Sequence, residues 1–198
     1  MSWRNWSGRQ EAEPLGVVSP GDEAGFVDAV GLARREGWTV RAVGAAHSHS
    51  RVAAPDGLLV ETDNWQGVLG GDVADAATAG PTGDEAVVRV RSGTRLHQLG
   101  EPLHRRGLAL VNQGDIDRQS IAGATGTGTH GTGPTLRNLS AAVTGARVVT
   151  AGGDVVDCDA TTEPDLFSLA RHSLGAVGLV TELRLRVRDR YRLHERQW

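Results

Sequence analysis

One run of small residues constrains this chain more than any other feature: residues 119–133, with the sequence QSIAGATGTGTHGTG. The run contains five glycines and four threonines and almost no bulky side chain, so it cannot build a core. Glycine permits a positive φ and has no Cβ, so a glycine backbone can approach a ligand closely. Threonine hydroxyls and free backbone N–H groups suit an anion such as a diphosphate. The run therefore predicts a site for a phosphate-bearing cofactor.

The remaining composition is that of an ordinary globular protein. The 198 residues are 39% hydrophobic with a net charge of −3, enough for one domain or two small ones. No basic excess indicates a nucleic-acid surface. No apolar run approaches the roughly 20 residues of a membrane-spanning helix, and the polar N-terminus is unlike a signal peptide. A single cysteine, Cys158, excludes an internal disulfide and a cysteine-based zinc site. We expect a cytoplasmic protein with no metal site, no nucleic-acid partner and no membrane partner.

Hydrophobic periodicity predicts an α+β fold, because strands and helices do not alternate regularly as a doubly wound sheet requires. The chain opens as strand, helix and strand, with Ser19 as the predicted helix cap and Gly37 as the helix end. Thr94 is the predicted cap of a second helix, which Pro102 would kink or divide. The predicted strands cover residues 15–18, 39–43, 58–62, 86–91, 108–111, 142–150, 155–159 and 179–187. Residues 70–85 and the glycine run are predicted to be loops. A last helix is predicted to pass through Leu166 and Phe167.

The glycine run alone leaves three interpretations open. Gly126, Gly128 and Gly131 match the spacing of a dinucleotide fingerprint. That fingerprint needs a strand directly before it and a long amphipathic helix after it, whereas Pro134 and a polar stretch follow here. A flexible loop without a ligand is the second interpretation, although Ile121 within the run is typical of a packed segment. The third is a cofactor site of another kind.

Three segments in order resemble the FAD-binding domain of the vanillyl-alcohol-oxidase type, also called the PCMH type. They are residues 43–48 after the second strand, residues 113–131 and residues 173–181. Within that family they are most similar to aldonolactone oxidases, such as gulonolactone oxidase, and to alditol or xylitol oxidases. The resemblance implies an FAD-binding domain over residues 10–190, built of two small α/β subdomains with the flavin between them.

The resemblance also implies which residues bind FAD. The loop after the second strand would wrap the diphosphate with its N–H groups, and His47 would be bonded to the flavin 8α carbon. A neutral imidazole is a suitable nucleophile for that attachment. Gly114 matches a position where a small residue leaves a path for oxygen, which favours an oxidase over a dehydrogenase. Gly178 and Val180 would meet the adenine–ribose end. The implied cofactor-binding residues are Val43, Gly44, Ala45, Ala46, His47, Ser48, Gly114, Asp115, Ser120, Gly123, Thr127, Gly128, Thr129, His130, Gly178 and Val180.

The implied reaction is FAD-dependent oxidation of a hydroxyl of a sugar lactone or alditol, with O2 as acceptor and H2O2 as product. Members of that family are about twice as long, and their second part supplies a substrate domain with a His-Trp-x-Lys motif. That motif is not in this sequence. We therefore expect the substrate domain to lie outside this chain, and no catalytic acid or base is identified.

Two alternative functions stay open. One is a flavin-binding module that is inactive without a partner half, and the other is a nicotinamide-binding or nucleotide-binding protein of another fold. Apolar surface that a substrate domain would cover favours a homo-oligomer. Four other histidines lie among charged residues and are interpreted as solvated, namely His97, His104, His172 and His194.

Overall fold

The computed structural model describes residues 2–69 and 85–196. The described helices are α1 (Glu23–Glu36), α2 (Leu96–Arg105), α3 (Ile121–Gly126) and α4 (Pro164–Ala170). The described strands are β1 (Trp3–Arg4), β2 (Glu11–Ala12), β3 (Gly16–Val18), β4 (Val40–Val43), β5 (Leu58–Glu61), β6 (Glu85–Arg91), β7 (Leu108–Leu110), β8 (Val143–Val149), β9 (Val155–Asp159) and β10 (Leu179–Asp189). The predicted loop 70–85 lies outside the described residues, except for Glu85, which begins β6.

The first subdomain is a three-stranded parallel sheet covered by α1. Its strand order is β3-β5-β4. The apolar positions of α1 recur at helical spacing and pack on β5, because a helix with one apolar face must bury it against another element. The residues that form this contact are Phe26, Ala29, Val30, Ala33, Leu58 and Val60.

The second subdomain is an antiparallel sheet. Its strands run in the order β6-β10-β8-β9, and β7 also pairs with β10. Strand β10 alternates buried and half-buried residues over most of its length, as predicted for a strand with one face on a core. Helices α2, α3 and α4 contribute buried side chains to the core of this sheet. The α+β prediction is confirmed, with one parallel and one antiparallel subdomain.

Two predicted helix caps are wrong, because both hydroxyls find other partners. Asp22 caps α1 by accepting a hydrogen bond from Gly25 N at 2.8 Å, and Ser19 Oγ instead donates to Glu61 at 2.8 Å. Thr94 Oγ1 donates to the Arg91 carbonyl at 2.7 Å, so α2 begins one residue later. Helix α2 is continuous through Pro102. The end of α1 at Gly37, in the left-handed conformation at φ 69°, is confirmed.

The two subdomains are joined along α1 and β10. Trp65 Nε1 donates to the Thr181 carbonyl at 2.7 Å, and Glu23 of α1 pairs with Arg147 of β8 at 2.6 Å. Val149 and Leu179 of the second sheet belong to the core beneath α1. Within residues 2–69 and 85–196, no helix is both long and apolar enough to cross a bilayer.

Candidate functional site

A cavity of about 270 Å³ lies between the two subdomains. The first subdomain borders it with the ends of β4 and β5 and with the loop after β4; the second borders it with the end of β6, with α3 and with the start of β10. A second cavity of about 280 Å³ shares Arg41, Ala42, Leu174, Gly175 and Gly178 with the first. The two cavities, named together the cleft, are therefore neighbours, and together they offer the length that a dinucleotide needs.

The loop after β4 presents unpaired backbone donors beside this cleft. Among the described residues, no hydrogen-bond partner receives the amide groups of Ala45, Ala46, His47 and Ser48, and all four residues line the cavity. Successive free N–H groups form an anion-binding concavity. The loop therefore offers what a diphosphate requires.

Close packing on α3 holds this loop in place. A Cβ on Gly44 would overlap the side chain of Ser120, so the loop backbone lies directly against the start of α3. Thr62 at the end of β5 donates its amide to the Val43 carbonyl at 3.0 Å and its hydroxyl to the same oxygen at 3.2 Å. Val43 and Gly44 thus lie behind the cavity and carry the residues that line it.

Part of the glycine run folds as helix α3 instead of the predicted loop. Ser120 caps it by accepting a hydrogen bond from Gly123 N at 3.3 Å, and Ile121 and Ala124 are buried in the second core. Burial of these two side chains stabilises a helix that glycine content alone disfavours. The small residues of the opposite face line the cavity, namely Ser120, Ala122, Gly123, Gly126 and Thr127.

His47 lines the cavity in surroundings that favour the neutral imidazole. Burial lowers its pKa, and the nearby Arg95 and His49 side chains lower it further. The Trp6 indole lies on the imidazole, with ring centroids 4.8 Å apart and planes at 15°. A neutral imidazole keeps a lone pair on one ring nitrogen, which can act as a nucleophile or accept a proton.

The structure brings some of the residues predicted to bind the cofactor to the cavity and places others beside it. Those that line the cavity are Ala45, Ala46, His47, Ser48, Ser120, Gly123, Thr127, Gly178 and Val180. Outside its lining lie Val43, Gly44, Gly114, Asp115, Gly128, Thr129 and His130. The last five belong to the segments on either side of α3. Their contact with a cofactor stays a prediction.

Local contacts explain the positions of three of these outlying residues. Gly114 packs on Thr129, so that a Cβ on Gly114 would come within 2.7 Å of the Thr129 methyl. His130 is exposed, with Nδ1 2.8 Å from the carbonyl oxygen of Gly131.

The sequence analysis did not identify two polar side chains that lie beside the loop after β4. Ser92 is 1% exposed and lines the cavity, and its Oγ has no hydrogen-bond partner within residues 2–69 and 85–196. Arg95 Nη1 is also buried without a partner among these residues, and it lies 3.3 Å from where a Cβ of Gly44 would be. A polar Ser-Gly-Thr-Arg sequence directly after strand β6 was the available signal. A buried polar atom without a partner calls for an explanation, and at Ser92, which lines the cavity, a polar cofactor that supplies the partner is one.

Comparison with known proteins also indicates a cofactor-binding domain. Residues 14–159 match the family described as "FAD binding domain". The chain is 42% identical over 192 residues to an L-gulono-1,4-lactone dehydrogenase from Mycobacterium tuberculosis, covering 97% of this chain and 42% of that protein. It is 34% identical over 195 residues to a D-arabinono-1,4-lactone oxidase from Eremothecium gossypii, covering 98% of this chain and 36% of that protein. The chain thus spans less than half the length of these relatives.

Two solved structures share the fold. One is 6-hydroxy-D-nicotine oxidase from Arthrobacter nicotinovorans, with a TM-score of 0.79, 22% identity, and coverage of 94% of this chain and 39% of that one. The other is a chitooligosaccharide oxidase, with a TM-score of 0.72, 23% identity, and coverage of 90% of this chain and 36% of that one. At this identity the likeness concerns the fold alone.

Proposed function

This chain belongs to the family of FAD binding domains, and we propose that it is the flavin-binding part of an oxidoreductase that oxidises a hydroxyl group of a sugar lactone or alditol. The observation that carries the proposal is the row of free amides from Ala45 to Ser48 beside the cleft. The names of the relatives, an L-gulono-1,4-lactone dehydrogenase and a D-arabinono-1,4-lactone oxidase, support the substrate class.

The residues of the chain bind and orient the cofactor. The amides of residues 45–48 would donate to the diphosphate, Ser92 would supply a further donor, and the small face of α3 would let the backbone lie close to the cofactor. Gly178 lines both cavities and Val180 lines the first, and these two residues would contact the adenine–ribose end of the cofactor. When FAD is bound, the chemistry that it supplies is uptake of a hydride equivalent from a carbinol carbon.

We further propose that FAD is attached covalently through His47. Support comes from the position of the imidazole in the cavity and from its lowered pKa. His47 would exchange an N–H bond for a bond to the 8α carbon, which would lose a C–H bond; the two electrons and two protons released would reduce the flavin and then O2 to H2O2.

Acid precipitation tests both FAD binding and its attachment. The purified chain is precipitated with acid, and absorbance is read between about 350 and 500 nm, where flavin is yellow. We expect a yellow pellet for the wild type and for the control His49→Ala, and a yellow supernatant for His47→Ala. A yellow supernatant from the wild type contradicts attachment, and a colourless protein after incubation with FAD contradicts the proposed function.

The proposed electron acceptor is O2, on the basis of Gly114. The relatives are named both as a dehydrogenase and as an oxidase, so their names do not decide between the two. We expect photoreduced flavin in the chain to be reoxidised rapidly by aerated buffer. We expect Gly114→Val to slow this reaction, and slow reoxidation of the wild type would contradict an oxidase.

A flavin-binding module without turnover of its own is the second candidate. One observation favours it: the ionisable residues that line the described cavity are Arg41, His47 and His49, with no carboxylate among them. Assays of the chain with xylitol, sorbitol and gulonolactone separate the candidates, because turnover requires groups that orient the substrate. Binding of NADH without binding of FAD would instead support a nicotinamide-dependent protein.

Self-association of the chain is a further part of the proposal. Large apolar side chains are exposed, including Leu15 at 60% and Leu169 at 54%. Such surface favours association with a substrate domain or with a second copy. Light scattering at high concentration tests this, and a monodisperse monomer would contradict it.

A further inference from the structure

We propose that Trp6 is a positioning residue for His47: its indole, carried by an N-terminal hairpin, fixes the plane of the imidazole beside the cavity. The proposal rests on the covalent attachment proposed above, and it concerns how the histidine is presented to the cofactor. Trp6 is outside the lining of the cavity, so it acts through His47.

A tightly ordered hairpin carries Trp6. Strands β1 and β2 pair Trp3 with Ala12 and Arg4 with Glu11. The turn between them is organised by Asn5, which is only 5% exposed. Asn5 Oδ1 accepts from Gln10 N at 3.1 Å, and Asn5 N donates to the Gln10 carbonyl at 3.0 Å. A buried side chain that is hydrogen-bonded through both its oxygen and its nitrogen gives Trp6 a defined direction.

Three hydrogen bonds attach the hairpin to the histidine loop, and all three end on loop carbonyl groups. Trp6 N donates to Ala46 at 3.2 Å, Asn5 Nδ2 to Ser48 at 2.9 Å, and Gln10 Nε2 to His49 at 2.9 Å. Ala46 has a φ of 52°, a left-handed conformation that a residue with a Cβ rarely adopts. The hairpin thus holds a strained loop through its carbonyls and leaves the amides available to a ligand.

The indole also contacts both histidines of the loop. It lies parallel to the His47 ring at 4.8 Å, and it meets the His49 ring edge-on at 5.4 Å and 75°. Trp6 remains 50% exposed, so its packing serves this loop rather than the core. A ring stacked at this distance restricts rotation of the imidazole about its side-chain bonds.

Positioning and binding therefore depend on different groups. Hydrogen bonding by the backbone amides of residues 45–48 does not depend on the indole. The orientation of the His47 ring nitrogen does depend on it. Removal of the indole should slow bond formation and leave reversible FAD binding intact, because a misplaced nucleophile loses rate without loss of cofactor contacts.

The test compares Trp6→Ala, Trp6→Phe and the control Trp3→Ala, which removes a second indole from the same hairpin. FAD is added to each FAD-free chain. Fluorescence measures the initial reversible binding, and the amount of acid-stable flavin, measured over time, gives the rate of covalent attachment. We expect attachment to slow by about tenfold or more in Trp6→Ala, with unchanged reversible affinity, and to be restored in Trp6→Phe. Wild-type rates in Trp6→Ala, or equal loss in Trp3→Ala, would overturn the role of the ring.

A measurement without flavin separates this proposal from the proposed function. In NMR spectra of the FAD-free chain, the stacked indole shifts the ring protons of His47 upfield. We expect that shift to disappear in Trp6→Ala and to persist in Trp6→Phe and Trp3→Ala, even if FAD never attaches. Identical His47 ring shifts in wild type and Trp6→Ala would refute the stacking whatever the fate of the flavin.

Discussion

The hydroxyl of Ser92 combines deep burial with an unused hydrogen-bonding capacity. The residue is 1% exposed, and its Oγ has no partner in the described part of the chain. A buried polar group left unsatisfied costs about 1–3 kcal/mol. The folded chain tolerates this cost at the border of the cavity, where a bound cofactor can supply the partner.

Ser92→Ala should therefore have effects of opposite sign on stability and on binding. Without FAD, we expect the free energy of unfolding to rise by about 1 kcal/mol, because the unpaired hydroxyl is gone. With FAD, we expect reversible affinity to fall by about fivefold or more, because one donor is lost. Urea unfolding and fluorescence titration, both in the His47→Ala background, measure the two effects.

Ser140→Ala is the matched control for this prediction. Ser140 is 5% exposed, but its hydroxyl donates to the Thr125 carbonyl. Its removal should destabilise the chain with or without FAD. A Ser92→Ala chain that is destabilised in the same way would show that the Ser92 hydroxyl already has a partner.

At the scale of elements, an ion pair joins α1 to the second sheet. Glu23 accepts from Arg147 Nε at 2.6 Å and from Arg147 Nη2 at 2.8 Å, and Arg147 also pairs with Asp157 of β9. Hydrogen bonds from Arg147 hold the pKa of Glu23 below its ordinary value, against the opposing effect of burial. This two-fold contact fixes α1 on β8 and, with it, one wall of the cleft.

Glu23→Gln should loosen that junction. The paired side chains are 27% and 32% exposed, so solvent screens part of the interaction and we expect a loss of about 1–2 kcal/mol. Because the folded pKa of Glu23 is lowered, its contribution is complete above the unfolded pKa of about 4.3 and is lost as the pH falls through the folded pKa. Urea unfolding of both chains at a series of pH values checks this.

The difference between the two chains should be constant near neutral pH and vanish in acid. Asp28→Asn on the exposed side of α1 is the matched control, with little expected effect. A difference that persists unchanged below the folded pKa would show that the pair does not stabilise the junction through its charge.

At the scale of the whole molecule, the cleft makes the cofactor a link between two subdomains. The first contributes residues 45–48 and the second contributes the small face of α3. The two subdomains form a shared binding site only in the folded chain. A ligand that contacts both of them therefore stabilises both against unfolding. FAD at 100 times its dissociation constant should stabilise the chain by about 2.7 kcal/mol.

This stabilisation should raise the melting temperature by roughly 5–10 °C in a chain of this size. Calorimetry of the His47→Ala chain, where binding is reversible, measures the shift, and riboflavin without the diphosphate should give a smaller one. Two separate transitions, of which FAD moves only one, would contradict a cofactor site shared by the subdomains.

Local signals were sufficient for most elements. The apolar spacing of α1, its end at Gly37 and the strands predicted at residues 142–150, 155–159 and 179–187 are properties of short segments, and the structure confirms them. The order of the three motifs in the sequence was sufficient to predict the family, and the family match over residues 14–159 confirms that prediction. His47 beside the free amides was also predictable, because the loop is contiguous in sequence.

Long-range contacts decided the rest. Helix α3 forms within a glycine run because Ser120 caps it and the second core buries Ile121. His172 is exposed, as predicted for a solvated histidine, and the tertiary structure also brings its ring over Gly128. No distant segment in the described part of the chain supplies a partner for Ser92, and the hairpin brings Trp6 onto His47. The sequence by itself determined which local backbone conformations the chain adopts and which class of cofactor it is suited to bind. Both depend on residues that are neighbours in the sequence. Only the tertiary structure decided which polar groups stay unpaired and which rings stack, since both depend on distances between segments far apart in the chain.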